Sequence, residues 1–265
     1  MESQLITIDC GKNQLRLSIK MRISGEDLLF LIHGLGCAKE NYDSIWDWRG
    51  LKDISIVALD LPGFGGSPGP EGFSYDLEEH ADVCRCLLDR MPPGRVHILG
   101  HSMGGAIGII LAEKISDRLG SFINVEGNLI GQDCTVSRRR ASVTFENFKN
   151  RQLPGMILTT ALSDEPGRRL WSEFLKKADI TGLYLSSRSL MRWSDSGMLL
   201  EKFRNMKCRK IYIYGDGNSS MPVLRRLGGI PLSRVPRSGH FPMNDNPDAF
   251  YGVIESFLSG DTTIQ

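Results

Sequence analysis

No sign of charge dominates this chain. Its 32 lysines and arginines face 31 aspartates and glutamates, for a net charge of +1. That balance argues against nucleic acid or an acidic surface as a partner. No apolar run approaches the roughly 20 residues that span a bilayer. The opening residues, Met1 to Asp9, lack a basic segment followed by an apolar run, so no signal peptide is read there and a cytoplasmic location is expected. Cysteine is present without pattern. Cys10, Cys37, Cys84, Cys86, Cys134 and Cys208 show no metal-ligand spacing, and with no export signal the expectation is free thiols throughout. No internal repeat or low-complexity run stands out. Histidine is scarce, with five in 265 residues, so the search for a catalytic base is short.

Against these absences stands Gly100-His101-Ser102-Met103-Gly104. It fits Gly-x-Ser-x-Gly, and its context gives it weight. Arg95 to Leu99 reads as a short buried strand, and Ala106 to Ala112 as the start of a buried helix. A serine at such a strand-to-helix turn has strained backbone angles and needs small neighbours. The turn lifts its hydroxyl out of the sheet. The N–H of Met103 and the helix N-terminus then point at the same place, where an oxyanion would form.

A serine hydroxyl needs a base within hydrogen-bond reach and a carboxylate to orient that base. His240 lies in a Gly-flanked loop after the apolar run Pro231 to Val235, at the carboxyl end of a strand, where catalytic residues collect. The other histidines read as structural. His97 alternates with apolar residues in a strand, His101 packs beside the sheet, and His80 is expected to be solvated among its charged helical neighbours.

Ser102 early and His240 late, with Leu31-Ile32-His33-Gly34-Leu35-Gly36 and Asp60-Leu61-Pro62-Gly63-Phe64-Gly65-Gly66-Ser67, resemble the α/β-hydrolase family over most of the chain. The resemblance implies an α/β fold, a mostly parallel eight-stranded sheet with helices on both faces and a helical cap inserted after strand six. Apolar runs at Leu28–Ile32, Ile54–Leu59, Val96–Leu99, Phe122–Val125 and Ile211–Tyr214 alternate with helical segments and independently predict a parallel sheet. Gln4–Asp9 and Leu15–Met21 read as an opening antiparallel pair, and Tyr75 to Met91 as an amphipathic helix. The resemblance also implies that backbone N–H groups of Leu35 and Met103 form the oxyanion hole, and that the Asp60–Ser67 loop is mainly structural.

The acid departs from the family's commoner pattern. The turn after the strand Lys210–Tyr214 reads Gly215-Asp216-Gly217-Asn218, with an amide where the family usually carries Asp. An amide cannot hold the charge that stabilises an imidazolium. The family's other position follows strand six, and there the chain has Glu126-Gly127-Asn128. Glu126 is therefore the expected acid and Asp216 the runner-up.

Residues 131–204 break the strand–helix alternation and are expected to form the cap, with 1–130 and 205–265 as the core. This segment carries 13 basic against 8 acidic side chains. Arg138, Arg139, Arg140, Arg168, Arg169, Lys176 and Lys177 read as solvated helix faces in preference to an anion-selecting lid. Trp171, Trp193, Phe145, Phe148, Met156, Leu185 and Met191 could line an acyl pocket, but at helical spacing they read as core in preference. The expected function is a serine hydrolase that cleaves a carboxylic ester or related acyl bond of a small molecule through an acyl-enzyme, without metal or organic cofactor. Two alternatives stay open: carbon–carbon cleavage of a diketone, and a ligand-binding, non-catalytic member of the fold. Ser102 stands where haloalkane dehalogenases and epoxide hydrolases need Asp. The sequence leaves the substrate and oligomeric state open.

Overall fold

The apolar runs become eight strands of one sheet in a computed structural model that describes residues 2–134, 138–139 and 142–260. β1 (Gln4–Cys10) and β2 (Asn13–Arg22) pair antiparallel, as the sequence suggests. Then come β3 (Leu28–Ile32), β4 (Ser55–Leu59), β5 (Val96–His101), β6 (Leu119–Val125), β7 (Arg209–Gly215) and β8 (Leu232–Val235). The spatial order is β1-β2-β4-β3-β5-β6-β7-β8. β2 meets β4 antiparallel, and every pair from β4 to β8 is parallel. β3 and β4 are buried at every residue, as strands covered on both faces must be.

Alternate residues of the strands feed two cores. On one face Phe30, Val57, Ile98 and Phe122 pack with α1 (Leu77–Leu88) and α2 (Met103–Lys114). On the other, Leu31, Ala58, Leu99 and Ile213 pack with the turn Lys39–Asp47 and the C-terminal helix Pro247–Ser259. The chain winds outward in both directions from β3, with β4 on one side and β5 on the other. That reversal opens a crevice at the carboxyl ends of β3 and β5, where α/β sheets place their sites.

Between β6 and β7, which are neighbours, the chain makes a long helical insertion. It contains α3 (Leu153–Ala161), α4 (Pro166–Leu175), α5 (Ile180–Asp195) and α6 (Met198–Asn205). Several of its basic side chains are exposed and paired: Arg138 with Asp195, Arg168 with Glu165 and Lys176 with Glu173. Arg140 lies outside the described residues.

Two expectations are corrected. His80 is fully buried, not solvated. It lies three residues after Leu77 and four before Cys84, on the inward stripe of α1, and Phe64, Phe73 and Tyr75 surround its ring. The charged residues beside it in sequence point elsewhere. The thiols are not all free either, because Cys10 at the end of β1 and Cys86 on α1 form a disulfide across 76 residues. That bond removes the thiol argument for a reducing compartment. No helix among the described residues is long and apolar enough to cross a membrane.

Candidate active site

β5 ends in the turn that carries Ser102, and α2 begins at Met103. Ser102 has φ 52° and ψ −118°, a region that L residues rarely occupy. The turn survives because its flanks are glycine. A Cβ on Gly104 would run into the carbonyls of Ile32 and His33, and one on Gly100 into the backbone of Gly104 and Gly105. The Ser102 N–H donates to Val125 O (3.0 Å), which ties the turn to β6. The hydroxyl donates to Asn128 Oδ1 (3.3 Å). Asn128 is oriented in turn by its Nδ2, which donates to Asp133 O (3.0 Å).

His240 follows β8 and meets Glu126, the first residue after β6. The imidazole Nδ1 lies 2.7 Å from Glu126 Oε2. With the proton on Nδ1, Nε2 is left as the basic nitrogen. Glu126 is buried, with a side chain 1 % exposed, whereas His240 keeps 35 % of its side chain exposed. Three further contacts saturate the carboxylate: Gly215 N donates to Oε1 (2.8 Å), and Asn218 Nδ2 reaches Oε1 (2.9 Å) and Oε2 (2.8 Å). Asp216 is turned away. Its Oδ1 accepts from Ser238 N (3.1 Å), and the amides of Ser238 and Arg237 hold its carboxyl below the usual range. The geometry thus brings Glu126, not Asp216, to the imidazole.

His101 braces this pair. Its Nε2 donates to the His240 carbonyl (2.8 Å), and its ring lies 4.8 Å from the His240 ring, centroid to centroid. Burial, and then the neighbouring His240, hold His101 well below the ordinary imidazole range, so it is neutral.

The His33–Gly36 loop faces Ser102 from the end of β3. His33 accepts from Leu61 N at Nε2 (3.0 Å) and donates from Nδ1 to Gly34 O (2.8 Å), which locks this loop to the one beginning at Asp60. Asp60 orders that second loop, accepting from Lys39 N (2.7 Å), Lys39 Nζ (2.8 Å) and Gly66 N (2.8 Å). The amides of Leu35 and Met103 have no acceptor among the described residues. Met103 is the first residue of α2, where no intrahelical partner exists. The insertion reaches down to this loop: Trp171 Nε1 on α4 donates to Leu35 O (3.0 Å).

These parts share a cavity of about 400 Å³, lined by Leu35, Ser102, Glu126, His240, Trp171 and Asp133 among others. Asp133 was not legible as a site residue, and Trp171 only as the less favoured of two readings. Helical spacing made Trp171 look like core, and no motif marks Asp133. Burial pushes the Asp133 carboxyl up to about 6, although the amides of Leu129 and Ile130 donate to it (3.1 Å each). Arg168 also lines the cavity, with its Nε engaged by Glu165 (2.8 Å). A wider cleft of about 680 Å³ between α2 and α6 holds none of the predicted site residues.

Comparison with known proteins places the chain in a family. Residues 29–253 match the Alpha/beta hydrolase family, and the chain belongs to it. An uncharacterized protein of Mycobacterium tuberculosis is 26% identical, with 91% of this chain and 78% of that one covered. The 2-hydroxy-6-oxononadienedioate/2-hydroxy-6-oxononatrienedioate hydrolase of Escherichia coli is 21% identical, covering 97% of this chain and 96% of its own. Among solved structures, a thermophilic esterase from Thermogutta terrifontis superposes with a TM-score of 0.77 at 19% identity, covering 99% of this chain and 100% of its own.

Proposed function

We propose that this protein is a serine hydrolase that cleaves a carboxylic ester or related acyl bond of a small molecule. The observation that carries the reading is the 2.7 Å contact of His240 Nδ1 with the buried carboxylate of Glu126, in one cavity with a serine on a strained elbow. The Ser102 hydroxyl turns from Asn128 to His240 Nε2 as substrate enters. Oγ then attacks the acyl carbon while Nε2 takes its proton. The carbonyl oxygen becomes an oxyanion held by the N–H groups of Leu35 and Met103. Glu126 stabilises the imidazolium and keeps the ring oriented. His240 gives its proton to the leaving alkoxide, and the C–O bond breaks. Water then attacks the acyl-enzyme while His240 takes the water's proton. That proton passes to Ser102 Oγ as the serine leaves. The insertion, residues 131–204, acts as the cap that closes the cavity and holds the Leu35 loop through Trp171.

Carbon–carbon cleavage is the second reading, favoured by the similarity to the Escherichia coli hydrolase over nearly the whole chain. A cytoplasmic location does not follow from the thiols, given the Cys10–Cys86 bond.

The test is turnover of p-nitrophenyl esters from acetate to longer acyl chains by wild type and Ser102→Ala. Wild type should hydrolyse the shorter members, and Ser102→Ala should lose at least about a thousandfold in kcat. Retained turnover in Ser102→Ala sinks the assignment. An inactive wild type that nonetheless reacts at Ser102 with a phosphonate probe favours carbon–carbon cleavage.

A further inference from the structure

We propose that Asp245 is a positioning residue that fixes the insertion and the His240 loop to one carboxylate, so that the seating of α4 sets the place of the base. This rests on the assignment of Ser102, His240 and Glu126 made above.

Asp245 closes the helical turn Pro242–Asp245 that follows the His240 loop. Its Oδ2 accepts from Gly239 N (3.0 Å), the amide just ahead of His240. Its Oδ1 accepts from Gly167 N (2.9 Å) in the first turn of α4. Pro166 opens that helix without an N–H, so the Gly167 amide is the first that α4 presents, and no intrahelical carbonyl meets it. The two elements are close-packed here. A Cβ on Gly167 would run into Phe241, whose ring lies against both His240 (5.2 Å) and Trp171 (5.7 Å), centroid to centroid. Two other groups hold the same loop: Asp216 takes the Ser238 amide, and His101 holds the His240 carbonyl. Of these three holds, Asp245 is the one that also reaches the insertion.

α4 is therefore attached at both walls of the cavity. Trp171 Nε1 donates to Leu35 O (3.0 Å) on the side of the oxyanion loop, and Gly167 reaches Asp245 on the side of the base. Between these attachments α4 lines the cavity with Arg168 and Trp171, whereas Asp245 itself does not line it. The chemistry of this clasp requires an acid. Two N–H groups converge on Asp245, and a carboxylate is acceptor-only, with one oxygen for each. A carboxamide has a single oxygen, so its NH₂ would face one of the two amides and leave it without a partner. Release of Gly239 loosens the loop that aims His240 Nε2, which lowers kcat. Release of Gly167 lets α4 shift over the cavity, which raises KM.

The experiment compares wild type, Asp245→Ala, Asp245→Glu and Asn244→Ala. Asn244 is the matched control. It sits in the same helical turn, and its side chain exchanges two hydrogen bonds with Asn41 (2.9 Å each), not with Gly167 or Gly239. The readouts are kcat and KM on the best p-nitrophenyl ester. The limiting rate and half-saturating concentration of phosphonate labelling at Ser102 take their place if no ester turns over. Circular dichroism and melting temperature check folding. Asp245→Ala should lower kcat, or the limiting labelling rate, about tenfold and raise KM, or half-saturation, about threefold. Asp245→Glu should recover most of both, because it keeps a carboxylate. Asn244→Ala should lower the melting temperature yet stay within about twofold of wild type in both constants. A folded Asp245→Ala with wild-type constants, or with only one of the two changed, overturns this proposal and leaves the serine hydrolase reading intact. So does an Asn244→Ala that matches Asp245→Ala in both. No labelling of Ser102 in wild type overturns both readings. Should Asp245→Ala fail to fold, Asp245→Asn decides: kcat/KM equal to wild type overturns the positioning role, and kcat/KM lowered about tenfold supports it.

Discussion

Ser102, His240 and Glu126 were each legible for a local reason. The serine announces itself by the glycines its backbone angles require, the histidine by scarcity and by a loop after a strand, and the glutamate by a vacancy in the expected turn. Residues that work through tertiary contact left no such trace. Asn128 touches Ser102, and Trp171 touches Leu35, across distances in sequence that no local pattern links. His80 misled because its sequence neighbours are charged while its helical neighbours are apolar. Its burial yields a pH prediction. Enclosure holds its imidazole down at about 3, against an ordinary 6.5. The unfolded chain therefore takes up a proton below about 6.5 that the native state refuses, and stability is lost as pH falls through that window. By pH 5 this costs on the order of 2 kcal/mol. His80→Leu should narrow the gap in melting temperature between about pH 7.5 and pH 5. An unchanged gap would mean that His80 is protonated without penalty.

At the scale of elements, the sheet was readable because a strand covered on both faces must be apolar throughout, and such runs are short and bounded. Ends were less readable. The amphipathic pattern from Tyr75 to Met91 gives a helix only over Leu77–Leu88, because Tyr75 has φ 58° and cannot enter a right-handed helix, and Asp76 is extended. The β5–α2 junction is the least tolerant element. Ala at position 104 would press its methyl against the carbonyls of Ile32 and His33. Gly104→Ala should cost about 3 kcal/mol or lose the fold, read as a lower urea midpoint. A midpoint equal to wild type would show that α2 can shift away from β3 freely.

For the whole molecule, the balance of charge was visible in the composition, but its distribution was not. The insertion's excess of basic residues is met in part by local acids, and exposed pairs of that kind add little to stability. The disulfide was illegible because it depends on β1 lying against α1, which only the folded chain decides. Linking residues 76 apart should stabilise the protein by about 2–4 kcal/mol. Cys10→Ser should lower the urea midpoint accordingly under oxidising conditions and match wild type once both are reduced. Equal midpoints before reduction would show that the bond does not contribute.

Among the described residues, four that are not glycine have positive φ, and three of them lie in or beside the site: Ser102, Glu126 and Arg237, which stands just ahead of His240. Each such residue costs about 1–3 kcal/mol in a fold that could relax. Heat resistance and turnover thus pull in opposite directions at these positions. A selection that rewarded survival at high temperature and ignored chemistry would place glycine there first. On the proposed mechanism, serine and glutamate hold their ground against glycine there because turnover, rather than endurance, decides the chain's fate.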